Sequence, residues 1–438
     1  MVDSPQSAPQ SAAQSAAKSA PESAPSSVSV EQHLARILAE VQPLSPVDVE
    51  LSSALDRILV DDVTARVDVP GFDNSAMDGF AVHAADVAAA SADSPVALTV
   101  VADLPAGTAE NPPLTPGTAA RIMTGAPMPS DADAVVPIEE TDAFVLSPAP
   151  VDVVRVLRPV GDRTHVRRAG SDVRVGELVL PAGRRLSSRD LAAASATGHG
   201  VLPVRPAPRV GVLSTGSELV PPGAPLARGR IHDSNSYLLE AAVTEAGGVP
   251  VRIGAVTDDE DLLREVFVRY AGDLDAFVTS GGVSVGAYDV VKAVLAPLEH
   301  MWFGPVRMQP GKPQGFGRWH DGTPIFALPG NPVSVFVSFE TFVRPALRRM
   351  QGYDDAGLSR PVVRAIAAQG WRSPAGRAQY IPIAVTDAEP LHVRPAARGG
   401  SASHLVASLA GADGIAIVPE NVTEIAPGES VDVRLVRP

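Results

Sequence analysis

Residues 276–295 read AFVTSGGVSVGAYDVVKAVL: a short apolar run, a loop of glycine and small polar residues, then an acid opening an apolar helical stretch. An apolar run without polar alternation suits a strand buried on both faces of a sheet. The same succession recurs on either side. Residues 209–213 read as a buried strand, and 235–246 as a helix with Leu238, Leu239, Ala242, Val243 and Ala246 inward. A strand at 249–256, a helix at 259–270, a helix at 289–295, a strand at 325–328 and a long helix at 333–350 complete the series. Strands alternating with helices at this spacing predict a parallel α/β sheet with right-handed crossovers, covering 207–352.

The flanks have a different character. Residues 1–29 are almost entirely Ser, Ala, Pro and Gln, too polar to offset the entropy of ordering, and are expected to form a disordered tail. Ser29 followed by Gln32 fits a capping box, with Leu34, Ile37, Leu38 and Val41 on one helical face. From there short β runs such as 97–101 and 134–138 alternate with Pro and Gly. Gly-punctuated runs at 177–180 and 184–186 lead into a helix at 188–196. Beyond 352 the helices stop, and segments at 380–385, 391–394, 414–418 and 430–436 read as a small all-β domain.

With 438 residues, several domains are expected. A net charge of −14 disfavours non-specific contact with nucleic acid or an anionic membrane, but not a local site for a small anion. There is no cysteine, so thiolate nucleophiles, disulfides and Cys-zinc sites are excluded. No signal-peptide core or membrane-length apolar run is found, so the cytoplasm is the default. The nine histidines show no metal spacing.

In an open α/β sheet, ligands bind beyond the carboxyl ends of the strands. Each strand here runs into an unusual loop: Ser214-Thr215-Gly216-Ser217-Glu218, Thr257-Asp258-Asp259, Ser280-Gly281-Gly282-Val283-Ser284-Val285-Gly286, and Pro329-Gly330-Asn331-Pro332-Val333-Ser334. Asp233-Ser234-Asn235 precedes the first helix. Glycines allow close backbone approach, and helix N-termini add positive potential, which suits phosphate or another oxyanion. Glu218, Asp233, Asp258, Asp259 and Asp289 would repel a bare anion unless a hard cation such as Mg²⁺ intervened. Taken singly, each loop has a structural reading: Asp233 and Asp258 as helix N-caps, Gly281-Gly282 as a tight turn, Pro332 as a helix-opening proline. Their coincidence on one edge favours a site. Asn74-Ser75-Ala76-Met77-Asp78-Gly79 and Arg121-Ile122-Met123-Thr124-Gly125-Ala126-Pro127 read, by themselves, as a turn and a strand ending in a turn.

Those two segments, with Ser214 to Leu219, Ile231 to Asn235, Ser280 to Gly286 with Asp289, Pro310-Gly311-Lys312-Pro313 and Leu328 to Ser334, stand in the order found in molybdopterin molybdenumtransferases. The chain from about residue 30 to its end resembles this family, which includes the bacterial MoeA type and the E domain of gephyrin. The resemblance implies an elongated homodimer with a mixed linker and dimerisation region (30–56 with 158–206), a β-rich domain (57–157), a three-layer parallel α/β domain of molybdopterin-binding type (207–352) and a C-terminal β-barrel-like domain (353–438). It implies adenylylated molybdopterin and molybdate as substrates, Mg²⁺ or a similar cation, and molybdenum cofactor and AMP as products. The pterin dithiolene supplies the sulfur ligands, in keeping with the absence of cysteine. Molybdopterin adenylyltransferase and recipient molybdoenzymes are the implied partners.

By position, Asp78 and Asp289 would be the main catalytic acids, assisted by Glu218, and the site would lie between the α/β domain of one subunit and the Asp78 segment of the other. Asp233, Asp258, Asp259 and Asp289 would place the cation. Lys312 and Ser334 would meet molybdate, and Gly281, Gly282 and Ser284 the phosphate or pterin, with Gly286 and Pro313 also in the substrate-binding set. Ser75, Thr124, Gly125, Ser214, Thr215, Gly216, Ser234, Asn235, Pro329, Gly330, Asn331 and Pro332 complete the expected binding set. The chain departs from the common pattern where Pro305 and Gln309 replace lysines, with Arg307 between them as a substitute cation. A non-catalytic scaffold or cofactor carrier is the competing class. A molybdopterin adenylyltransferase is disfavoured because it needs neither the Asp78 segment nor the C-terminal domain. A chain beginning at Ser27 is expected to keep the melting temperature and activity of the full chain, checked by thermal unfolding and assay; loss of either would show that the tail packs or regulates.

Overall fold

The computed structural model describes residues 27–145, 151–283, 289–397 and 403–436. They fall into two compact units: one of 42–207 with 348–357, the other of the N-terminal helix, 208–347 and 358 onward. Among the described residues, no helix is long and apolar enough to cross a membrane.

In the first unit a five-stranded sheet has the order Ala134–Pro137, Gly79–Val82, Thr118–Ile122, Val96–Leu104, Val153–Val156. Period-two alternation places Phe80 and Val82 in one core with Leu98, Val136 and Val154, while Ala81 joins Leu104, Ile122 and Val135 on the other face. Gly79 is required by close approach, since a Cβ there would lie 2.0 Å from the carbonyl oxygen of Val136. A third cluster joins Ala54, Leu59 and Val63 to Leu180, Leu186, Leu202 and Val204. Residues 58–64 thus pack with 178–204, so the linker region extends past the boundary expected at 56.

The second unit opens with helix Val30–Glu40, whose capping box forms as expected: the Gln32 amide N–H donates to Ser29 Oγ (3.1 Å), and the Ser29 N–H to Gln32 Oε1 (2.8 Å). Pairing starts earlier, at Val28 against Val306, inside the stretch expected as tail. The buried stripe is Val30, His33, Ile37 and Val41, with Leu34 and Leu38 only half-buried. The helix is rotated toward His33 because that ring packs against Trp302 and Phe342, each 4.8 Å away. Burial, with Arg36 adding to it, lowers the His33 pKa to about 3, so this imidazole is a neutral packing group.

The α/β part comprises β1 (Arg209–Thr215), α1 (Asn235–Glu245), β2 (Val249–Val256), α2 (Glu260–Tyr270), β3 (Ala276–Ser280), α3 (Val290–Leu295), β4 (Trp302–Pro305), β5 (Pro313–Arg318), β6 (Pro324–Leu328) and α4 (Pro332–Ser338). Strand order is β2-β1-β3-β6-β5-β4. The first four strands are parallel, with Gly211 opposite Val251 and Phe277, and Phe277 opposite Ile325. β5 and β4 extend this sheet antiparallel. Leu263 and Phe267 of α2 and Val291 and Leu295 of α3 pack with Phe277 and Ile325 in one core. The long helix expected at 333–350 is broken by a π-helical turn, Phe339–Val343, between α4 and Arg344–Met350. There the Glu340 carboxylate, 2 % exposed, is paired with Arg360 at 3.0 Å.

The remaining strands are β7 (Val362–Ala367), β8 (Ala378–Ala388), β9 (Leu391–Pro395), β10 (Gly414–Val418) and β11 (Ser430–Leu435). They run in the order β8-β9-β7-β11-β10, and β10 pairs back onto β8, closing a five-stranded barrel. Inward-facing Ile381, Ile383, Val393, Ala416, Val418, Val431 and Val433 fill it. A short strand, Met308–Gln309, runs parallel to the start of β8 and ties the barrel to the α/β part, with Met308 opposite Ala378. Gly79→Ala should lower stability by about 1–3 kcal/mol or more, the usual cost of overpacking; an unchanged denaturant midpoint would mean the sheet opens there freely.

Candidate active site

Because β1, β2, β3 and β6 are parallel, their carboxyl ends share one edge. The loops that follow meet at Gly281. Its φ is +96° and that of Gly282 is +71°, both in the left-handed region. A Cβ on Gly281 would lie 2.7 Å from the Thr215 carbonyl oxygen, and one on Gly282 would lie 2.6 Å from Cβ of Val291. The Gly281 N–H donates to the Leu328 carbonyl at 3.1 Å, so the turn after β3 is fastened to the end of β6.

Around this junction opens a cavity of about 1140 Å³. Its wall includes Thr215 at the end of β1 with Gly216 and Glu218 beyond it, Asp233 and Ser234 before α1 with Asn235 at its start, and Asp258 after β2. Gly281, Gly282 and Asp289 follow β3, Lys312 and Pro313 open β5, and Pro329, Gly330, Asn331, Pro332 and Ser334 lead into α4. Asn235 Nδ2 donates to the Gly330 carbonyl at 2.7 Å, bracing two of these loops together. Thr215 Oγ1 and Asn235 Oδ1 are buried at this wall without a hydrogen-bond partner among the described residues. A buried polar atom left unsatisfied costs about 1–3 kcal/mol, which a bound ligand would recover.

The acids divide by what they already do. Asp259 is outside the cavity wall: its Oδ1 accepts the N–H groups of Asp261 (2.9 Å) and Leu262 (3.0 Å) and caps α2. Asp233 lines the cavity but is 3 % exposed and accepts the Ser236 N–H and hydroxyl at the start of α1. Asp258 accepts the Ser217 N–H at 2.8 Å. Asp289 precedes α3 without making a side-chain cap and lies against Gly282. The Glu218 carboxylate folds over Gly216, within 2.6 Å of where a Cβ would stand. Ser214 sits behind the wall, accepting the Ser280 hydroxyl at 3.0 Å. Ser284 and Gly286 lie outside the described residues.

Among the described residues, no three His, Cys, Asp or Glu side chains are grouped to hold a metal ion. Mg²⁺ rarely takes an all-protein cage; it is held by one or two carboxylates together with water and substrate phosphate. One or two of Asp258, Asp289 and Glu218, all oxygen donors on the cavity wall, would suit that mode.

The C-terminal part completes the wall with Arg377, Ser403, His404 and Val406. These were not apparent from the sequence, because no motif surrounds them and only the parallel pairing of Met308–Gln309 with β8 brings Arg377 beside Lys312. No ion pair among the described residues involves Lys312 or Arg377. Arg307 is not the substitute cation in this wall: its Nε pairs with Glu420 at 3.0 Å, and it lines a neighbouring cavity of about 360 Å³ together with Lys312 and Arg377.

The Asp78 segment belongs to the other unit. Asn74–Ser75 pairs antiparallel with Val166–Arg167. Ser75 is fully buried; its hydroxyl bonds the Met77 carbonyl and accepts the Met77 N–H, and its own carbonyl accepts the Gly125 N–H at 2.9 Å. Asp78 is exposed, and its Oδ1 accepts both the N–H and the hydroxyl of Thr124, each at 2.7 Å. Those two bonds, the backbone one first, hold its carboxyl below the usual range, with Arg121 helping against a small opposing effect of burial. Asp78 is therefore a committed anion. Thr124→Val should move its titration midpoint back toward an ordinary aspartate while leaving the backbone contribution, read by carboxyl-carbon NMR. An unmoved midpoint would show that the hydroxyl contributes nothing.

Comparison with known proteins agrees along the chain. Residues 28–198 match the MoeA N-terminal region (domain I and II), 211–349 the probable molybdopterin binding domain, and 364–436 the MoeA C-terminal region (domain IV). Molybdopterin molybdenumtransferase 2 of Mycobacterium tuberculosis is 43% identical over 412 residues, 92% of this chain and 98% of that protein. A Nostoc molybdopterin molybdenumtransferase is 36% identical over 87% of each chain. Among solved structures, a molybdopterin biosynthesis MoeA protein from Pyrococcus horikosii superposes with a TM-score of 0.78 at 31% identity, covering 94% of this chain and all of that one. The chain belongs to the MoeA family.

Proposed function

We propose that this chain is a molybdopterin molybdenumtransferase, which inserts molybdate into adenylylated molybdopterin and releases AMP to give molybdenum cofactor. One observation carries the reading. A single cavity combines a glycine-lined receptor for a phosphate, at Gly281 and Gly282, with two cations, Lys312 and Arg377, that have no carboxylate partner among the described residues and suit a small dianion. At about 1140 Å³ it is far larger than an oxyanion alone requires and falls slightly above the usual range for small-molecule sites. The names of the relatives supply the substrate class.

Each group then has a task. Lys312 and Arg377 attract molybdate, and Ser334 closes on it. Backbone N–H groups near Gly281 and the start of α4 receive the adenylyl phosphate. Thr215 and Asn235 satisfy their buried oxygens on the organic substrate. One or two of Asp258, Asp289 and Glu218 would hold Mg²⁺ or a similar cation together with substrate phosphate, whose charge the cation would neutralise. The partner subunit's Asp78 completes the site in a homodimer. The substrate comes from a molybdopterin adenylyltransferase, the product goes to recipient molybdoenzymes, and the work is done in the cytoplasm. Holding two anions and a dithiolene in register lowers a barrier that is mainly electrostatic and positional.

The reading is tested by AMP release from adenylylated molybdopterin, which should rise with molybdate. No release at any molybdate concentration would favour a scaffold or cofactor carrier. Asp289→Asn keeps the size and much of the hydrogen-bonding capacity of the side chain and should fold normally, yet lose rate by roughly two orders of magnitude with the charge gone. Lys312→Ala and Arg377→Ala should chiefly raise the molybdate requirement, leaving binding of the organic substrate nearly unchanged. Mixing Asp78→Ala with Asp289→Ala subunits should restore part of the activity; mixtures no better than either parent would contradict shared sites.

A further inference from the structure

The C-terminal segment at the cavity is held there by a clasp. Asn331 Nδ2 donates to Ser403 Oγ at 3.0 Å, and the Val333 N–H donates to the Ser403 carbonyl at 3.1 Å. Both donors stand at the start of α4, Asn331 just before it and Val333 in its first turn, so Ser403 is fixed at two points to the same edge that carries Ser334. The next residue, His404, lines the cavity with Lys312, Arg377 and Ser334. Among the described residues its imidazole has no hydrogen bond or ion pair.

We propose that His404 is the proton donor for the oxygen that leaves molybdenum. The inference rests on the function proposed above. Joining molybdate to a dithiol forms two Mo–S bonds and breaks one Mo–O bond. The departing oxygen leaves as water after taking up two protons, which are the two the S–H groups lose. Charge balances, and molybdenum keeps its oxidation state. An oxide is a poor leaving group unless it is protonated as the bond breaks, so an acid near the molybdate is needed. His404 gives its proton to that oxygen and recovers one from a thiol.

The other groups of the wall do not serve. Lys312 and Arg377 are needed as charges, and as classes lysine and arginine give up protons far above neutrality. Glu218, Asp233, Asp258 and Asp289 are of a class ionised at neutral pH. His232, the second histidine of the wall, has its Nε2 on the Ala224 carbonyl at 2.9 Å. Histidine is the side chain whose ordinary titration spans the working range. Asn331 is the positioning residue, acting through Ser403.

The test follows molybdenum incorporation into adenylylated molybdopterin between about pH 5 and 8. In the wild type the rate should fall as pH rises across that range, as expected of a histidine acting as the acid. His404→Gln should lower kcat about 10²-fold, lose that alkaline fall and keep the molybdate KM. Added imidazole should restore part of the rate to His404→Ala. Asn331→Ala should lower kcat but retain the pH dependence. His404 is exposed, so its variants should melt like the wild type. An unchanged kcat, a loss confined to the molybdate KM, or a lowered kcat with the alkaline fall intact would each overturn the assignment. A wild type that incorporates no molybdenum would overturn the proposed function itself, and this inference with it.

Discussion

The site depends on how closely three loops can approach at Gly281. Thr215 after β1, Gly281 after β3 and Gly330 after β6 crowd together so tightly that a Cβ on Gly330 would lie 3.3 Å from Cα of Gly281. Parallel strand direction makes the meeting possible, because it sends every carboxyl end to one edge. Absence of side chains at the junction lets backbone N–H groups and helix starts face the same volume.

Charge is arranged on the same small scale. The chain carries a net −14, and four carboxylates stand on the cavity wall, so an anion meets an unfavourable field unless local cations outweigh it. Lys312 reaches the wall from the α/β part and Arg377 from the barrel. Their separation in sequence is bridged by two residues of parallel pairing, Met308 with Ala378 and Gln309 with Gln379. The C-terminal part is thereby part of the cavity wall, to which it contributes Arg377, Ser403 and His404.

Much of this was legible in the sequence where apolar runs and loop chemistry agree. The strand at 249–256 and the helix at 188–196 have the bounds expected of them, and the Ser29 capping box forms with Gln32. β5 was hidden because Gly315 and Gly317 stand where alternation would show; a Cβ on Gly315 would meet the Phe303 ring at 2.5 Å. The helical face at 30–41 was misjudged because a histidine, usually polar, lies inside it against two aromatic rings. Arg377, Ser403 and His404 left no local trace, since only tertiary pairing brings them to the loops. Caps and site acids look alike in sequence, and only hydrogen bonds separate Asp259, a cap outside the cavity, from Asp289, which makes no cap.

The most direct measurement is anomalous diffraction at the molybdenum edge from crystals soaked in molybdate. A peak in the large cavity between Lys312 and Arg377, lost in Lys312→Ala, is the expected result. A peak elsewhere with that cavity empty would contradict the placement of the oxyanion, and with it the roles drawn for the loops around Gly281.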